Sequence, residues 1–262
     1  MAEIAPLLLL GIFSGFIAGL LGVGGGLIMV PALLYLLAGS VDQSALMHTA
    51  VGTALAAIVF TSISSVRAHH THGAIYWQYV RRLTPMILLG AFSGAMLTKA
   101  MSFDFMRLFF ALFEFGVAIV MYFGISSASH VDHLKKWIWH LTGYIIGFIS
   151  AIVGIGGGTM TTPFLTYNNV GIKNAIATSA AVGMPIAIAG ALGFVVAGWN
   201  VESASGGLGF IHTQALMSIV VMSVLFAPIG ARVAHNVDGK KTQKILCDIL
   251  GFFRLKRYCF LM

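Results

Sequence analysis

Few side chains of this chain are equipped for chemistry: three hydroxyls, one carboxyl, a histidine run and two clusters of glycines. Thr53, Thr178 and Ser179 stand near the start of long apolar stretches. Their O–H groups could donate to an anion, or they could satisfy backbone carbonyls within their own helices. Glu114 lies in the middle of the apolar run 104–124. A carboxyl buried there is costly and would be held largely protonated, which suits either proton coupling or a neutral hydrogen bond to a neighbouring helix. The run His69-His70-Thr71-His72 invites a metal-binding role. It falls in an expected loop beside Arg67, with no carboxylate or cysteine nearby, so a solvated loop is expected instead and no metal. His48 is expected at a membrane edge. Gly22, Gly24, Gly25 and Gly26, with Gly154, Gly156, Gly157 and Gly158, form two matched clusters. Glycine tolerates backbone angles closed to other residues and lets a ligand approach the main chain. A helix broken at such a cluster exposes N–H groups that have lost their partners, and its new N-terminus carries partial positive charge. Two such ends would suit a small oxyanion. Close helix packing through small residues is the competing role for the same glycines.

The elements that carry these residues are written twice. Residues 15–36 read GFIAGLLGVGGGLIMVPALLYL and residues 147–168 read GFISAIVGIGGGTMTTPFLTYN. The copies share the glycine clusters, Phe16/Phe148, Ile17/Ile149, Pro31/Pro163, Leu33/Leu165 and Tyr35/Tyr167. The prolines are expected to shape the early turns of the second half-helices. Weaker echoes follow. Gly52-Thr53-Ala54 resembles Ala177-Thr178-Ser179, the stretch 73–77 resembles 196–199, and Ser93-Gly94-Ala95 resembles Ile229-Gly230-Ala231. The chain thus divides into a first transmembrane repeat, 1–124, a cytoplasmic linker, 125–136, and a second repeat, 137–262. Matched, glycine-interrupted apolar segments in two halves point to the binding site of a transporter.

Hydrophobic residues make up 58% of the chain and charged residues 9%. Soluble domains carry about 25% charge, so most of this chain belongs in lipid. Apolar runs of spanning length recur near 43–66, 83–101, 104–124, 174–198 and 211–231. The first apolar run lacks the basic flank and small-residue cleavage site of a signal peptide. The net charge of +7 belongs to cytoplasmic loops and does not imply nucleic acid. Cys247 and Cys259 have no spacing that supports a disulfide framework or a zinc site.

As one straight helix, the stretch 4–38 would be about 52 Å long, against a hydrocarbon core of about 30 Å. It must break, and it either crosses with a kink or turns back. If both broken segments cross, Arg67, Arg81, Arg82, Lys135 and Lys136 face seven basic residues on the other side, which orients nothing. If both turn back, ten lysines and arginines collect on one side and only Lys99 and Arg107 remain on the other, a cytoplasmic bias. The N-terminus is then outside, and the loops 67–82, 125–136 and 232–243 are inside. Each half contributes an odd number of crossings, so the halves lie in opposite orientations. The expected fold is an all-α polytopic membrane protein of two inverted repeats. Each repeat opens with a Gly-broken re-entrant or discontinuous helix followed by transmembrane helices.

The paired GxGGGxxxxP segments, Thr53 and Thr178-Ser179, Ala68-His69-His70 leading into Gly73-Ala74, and Gly198-Trp199 resemble the TauE/SafE family of membrane permeases over about residues 5–240. The resemblance implies export of sulfite or a small organosulfonate. The chain departs from the family pattern at its end, TQKILCDILGFFRLKRYCFLM, where Asp248, Arg254, Lys256 and Arg257 interrupt an otherwise apolar final helix. Ile245, Leu246, Ile249, Leu250 and Phe253 fall at helical spacing, so an amphipathic helix on the cytoplasmic surface is expected. A shortened or frame-shifted product would look the same.

The expected function is outward movement of a small anion across the inner (plasma) membrane by alternating access around the two glycine breaks. The substrate-binding residues would be the eight glycines named above with Thr53, Thr178 and Ser179, and Glu114 would couple protons. A passive anion channel and a metal-dependent membrane enzyme are the alternatives. No catalytic constellation or P-loop is present, and no cofactor is expected. The expected partners are the anion, the lipid bilayer and a second copy in a homodimer, with no nucleic acid.

Overall fold

Among residues 4–123, 135–199 and 207–236, which a computed structural model describes, every regular element is a helix. Two isolated β-bridges, Ala38 to Val41 and Leu208 to Ile211, tie short turns. The expected linker and the charge-interrupted C-terminal segment lie outside the described residues, apart from Lys135 and Lys136 at the start of a helix. The first half holds α1 (Ile4–Leu21), α2 (Gly26–Leu36), α3 (Gln43–Thr71), α4 (Trp77–Thr98) and α5 (Phe103–Phe123). The second holds α6 (Lys136–Val153), α7 (Gly158–Tyr167), α8 (Ile172–Ala197) and α9 (Thr213–Asn236). Helices α1, α3, α8 and α9 are long and apolar enough to cross a membrane. The outer surface is itself apolar: Leu9, Phe13, Leu89, Leu108, Leu112, Leu192 and Leu225 are all exposed. In lipid such a surface costs nothing, whereas in water it would drive association.

Small residues set how closely the helices approach. α1 packs along α9, and α6 packs along α4. A Cβ on Gly11 would lie 2.6 Å from the Ile219 carbonyl oxygen, and one on Gly15 would lie 2.5 Å from Ser223 Cα. In the other half Gly143 and Gly147 abut Leu83 and Ile87 in the same way. Without a hydrophobic drive between helices in lipid, backbone proximity supplies the dispersion energy that joins them. Each pair unites the first helix of one half with the fourth helix of the other, so neither half packs by itself. Hydroxyls add cross-links between α3 and α9. Thr61 Oγ1 lies 2.8 Å from Ser223 Oγ, and Ser64 donates to the Val224 carbonyl at 2.7 Å.

The contacts also give chain direction. Gly15 reaches Ser223, which bonds Thr61, while the Gly19 carbonyl accepts from His69 Nε2. α1 therefore runs in the same sense as α3. α2 runs against it: Gly24 meets Ile58, and Val30 meets Gly154 beside Val51. The chain reverses at its first glycine break. In the second half Thr162 bonds Ser179 while Gly157 lies against Ile186, so α7 likewise runs against α8. α3 and α8 are themselves antiparallel, with Gly52 at Phe194 and Leu55 at Gly190.

The histidine run differs from the expected loop. α3 continues to Thr71, and His69 is fully buried with its ring against the end of α1. The Gly19 carbonyl is one of the last in α1 and has no helical N–H to pair with. The imidazole supplies that donor, which is why a histidine is drawn into the bundle. His48 is also buried, at 5% exposure. Its Nε2 lies 2.8 Å from the Thr98 carbonyl and its ring stacks on Phe210.

Candidate functional site

Each glycine cluster ends one helix and starts another. Gly22, Gly24 and Gly25 adopt φ of 66°, 79° and 80°, and Gly154 and Gly157 adopt 80° and 76°. These are left-handed conformations that a side chain resists. α2 and α7 then begin at Gly26 and Gly158, and neither Gly25 nor Gly157 can offer a side-chain cap. The N–H groups of the first turn at Gly26, Leu27, Gly158 and Thr159 have no acceptor one turn back in their helix. Pro31 and Pro163 sit inside α2 and α7, past the first turn where a missing N–H is free of cost.

The two breaks cross each other in opposite directions. Gly22 is beside Gly158, Gly24 beside Gly156 and Gly26 beside Gly154. A Cβ on Gly24 would stand 2.9 Å from Gly156 Cα, and one on Gly156 would stand 3.0 Å from Gly24 Cα. Backbone touches backbone, so the glycines are needed here for packing as well as for φ. A narrow crevice beside the crossing, without room for a water molecule in this conformation, is lined by Ala18, Gly24, Ser62, Ser65, Gly156 and Ala180. It contains no charged side chain, and Gly24 and Gly156 of the two breaks are part of its lining.

Six of the eight glycines named from the sequence, Gly22, Gly24, Gly26, Gly154, Gly156 and Gly158, meet at this crossing, while Gly25 and Gly157 lie against Ser14 and Ile186 of their own halves. Ser179 is next to the crossing: a Cβ on Gly22 would fall 2.9 Å from Ser179 Oγ. That hydroxyl donates to the Ile176 carbonyl at 2.8 Å and accepts from Thr162 at 2.8 Å. Thr53 and Thr178 are fully buried and do the same job in the two halves. Thr53 Oγ1 accepts the His212 N–H at 2.9 Å, and Thr178 Oγ1 accepts the Tyr76 N–H at 3.0 Å. Each threonine thus anchors the residue that leads into α9 or α4, across to the other half. His212 continues the anchor, because its Nδ1 accepts the Ala215 N–H at 3.2 Å and caps α9. Burial holds the His212 imidazole below its ordinary pKa, opposed in part by a hydrogen bond to its own backbone. Glu114 is half-buried on α5, which packs against α3 and α6, and no residue of α5 lines the crevice. Among the described residues no three His, Cys, Asp or Glu side chains converge as a metal site would need.

Sequence reasoning passed over Ser62 and Ser65. Both are buried, and Ser65 Oγ has no hydrogen-bond partner. Their signal was the i, i+3 spacing of two hydroxyls inside an apolar helix, which places both on one face. Thr159 and Thr161 on α7 are likewise buried with unpartnered hydroxyls.

The sulfite exporter TauE/SafE family model matches residues 7–254. The chain belongs to the TauE/SafE family. A "Probable membrane transporter protein" of Haemophilus influenzae is 39% identical over 227 residues, covering 86% of each chain. A protein of the same description from Methanocaldococcus jannaschii is 26% identical over 257 residues, covering 95% of this chain and 93% of its own. The "Probable membrane transporter protein YdhB" of Bacillus subtilis is 26% identical over 239 residues, with 88% and 89% covered. No solved structure matches the chain. As a TauE/SafE protein with four apolar helices of spanning length, it is a multi-pass membrane transporter.

Proposed function

We propose that this transporter is a permease for a small oxyanion, sulfite or an organosulfonate, and carries it out of the cytoplasm across the inner membrane. It moves the anion rather than transforming it chemically. The meeting of two uncapped half-helix N-termini at the glycine crossing carries this reading. In a bilayer those N–H groups must find protein, water or ligand, and partial positive charge at both ends selects an anion without a basic side chain. The halves act as inverted repeats: α3 and α8 run antiparallel, and each broken segment runs back against its own long helix. This is the plan in which one repeat rocks against the other around a central site. With Gly24 and Gly156 in contact, the path is shut at the crossing, which suits alternating access and not an open channel. Glu114 is the proposed proton-coupling group, and it acts from α5, outside the crevice.

The test is anion flux into proteoliposomes holding the purified full-length protein. Sulfite, sulfoacetate, thiosulfate and sulfate are offered with and without a pH gradient, for the wild type and Glu114→Gln. Selective flux of sulfite or the sulfonate, driven by the gradient and uncoupled in Glu114→Gln, is expected. Selective flux indifferent to the gradient would refute coupling, and no selective flux would refute the permease reading.

A further inference from the structure

We infer that Ser65, seconded by Ser62, is a direct anion contact, at a crevice that lies on one side only of the glycine crossing and is closed to water in this conformation. The inference rests on the permease reading and gives its site a side chain. Ser65 is 2% exposed, its Oγ has no partner in the protein, and it lines the crevice whose floor is Gly24 and Gly156. A buried hydroxyl without a partner is destabilising. α3 offers it an alternative, since serines inside helices commonly bond a carbonyl one turn back. Ser65 does not take that bond, and it shares the crevice lining with Gly24 and Gly156 of the two breaks. Neutral O–H and N–H donors, with no carboxylate beside them, suit an oxyanion whose oxygens only accept.

The two halves are not equivalent here. In the register that matches Thr53 with Thr178, Ser65 corresponds to Gly190 and Ala180 corresponds to Leu55. On the Ser65 side the small Ala180 and Ala18 leave the crevice. On the opposite side Leu55 occupies the equivalent space, its Cδ1 2.9 Å from where a Cβ on Gly190 would stand. The Ser65 side lies toward the C-terminal end of α3, toward Arg67 and the loop that positive-charge counting places in the cytoplasm. The anion therefore enters from the cytoplasmic side onto Ser62 and Ser65, and Leu55 closes the outer side.

The test compares wild type, Ser62→Ala and Ser65→Ala, full length and reconstituted. KM for sulfite flux is read along with the melting temperature with and without sulfite. Loss of a charge-assisted hydrogen bond should raise KM on the order of tenfold to a hundredfold for Ser65→Ala. Its melting temperature without sulfite should stay level or rise, because an unpaired buried hydroxyl has gone. The upward shift that sulfite gives the wild type should shrink in the variant. An unchanged KM and an unchanged sulfite shift would overturn the inference while leaving the permease reading intact. A lower melting temperature in Ser65→Ala would also overturn it, by showing that the hydroxyl serves the fold. A sulfite shift lost in Ser65→Ala, with no flux even in the wild type, would uphold the contact and sink the permease.

Discussion

Replacing Gly24 with alanine tests whether the two broken segments are pressed together through their backbones. Two costs add at this position. The residue holds φ 79°, and a left-handed conformation costs an L-residue about 1–2 kcal/mol. The new Cβ would then stand 2.9 Å from Gly156 Cα and 3.0 Å from Ile58 Cγ2. The first of these is backbone and cannot turn aside as a side chain would, so overpacking adds about 1–3 kcal/mol. Gly73 separates the terms. It also has positive φ, 63°, but a Cβ there meets nothing within 4 Å. Gly73→Ala should therefore cost only the conformational part, about 1 kcal/mol after the entropy withdrawn from the unfolded chain. At about 2–4 °C per kcal/mol for a chain of this size, Gly24→Ala should melt about 2–12 °C below Gly73→Ala. The assay is thermal unfolding in detergent, followed by tryptophan fluorescence. Equal losses in the two variants would refute the backbone crossing, and with it the place assigned to the site.

The paired threonine anchors predict paired effects. Thr53→Val strands the buried His212 N–H and should destabilise by about 1–3 kcal/mol, and Thr178→Val strands the part-buried Tyr76 N–H and should cost less, whereas Thr→Ser should retain most of the stability; chemical or thermal melts of the four variants decide. His212 predicts a pH dependence. Its folded pKa is depressed by burial, so its contribution is fully present above the unfolded value of about 6.5 and is lost as pH falls toward the folded one, where protonation at Nδ1 breaks the cap on Ala215. Melting temperature measured from pH 7.5 down to pH 5 should fall for the wild type and fall less for His212→Asn, which keeps a capping acceptor. Topology is open to thiol labelling in a background lacking Cys247 and Cys259. Ser40→Cys should react with an impermeant reagent from outside and His72→Cys from the cytoplasm, and reaction of both from one side would refute the direction assigned to α3.

Much of this architecture is legible along the chain because the relevant signals are local. The doubled glycine clusters between apolar runs mark both helix breaks, since no other residue takes φ near 80° so cheaply. The long apolar runs give α3, α8 and α9 to within a few residues. The histidines misled for a reason that is also physical. His69 looks solvated beside Arg67 and His70, and only the end of α1, brought against it from fifty residues away, supplies the orphan carbonyl that buries it. Thr53 and Thr178 were visible as a matched pair, but not their role, because the N–H groups they accept belong to His212 and Tyr76 in opposite halves.

Composition and repetition alone established a membrane-embedded, all-helical chain in two similar halves, each broken at glycine, because those properties follow from residue types read a few positions at a time. Tertiary structure decided the rest. It chose the partners, α1 with α9 and α6 with α4, and it crossed the two breaks so that Gly24 meets Gly156. It also made the halves unequal by setting Leu55 against Gly190 on one side and leaving Ala180 and Ser65 around a crevice on the other. Which space is filled depends on side chains far apart in sequence meeting at one depth in the bundle, and no local pattern encodes that meeting.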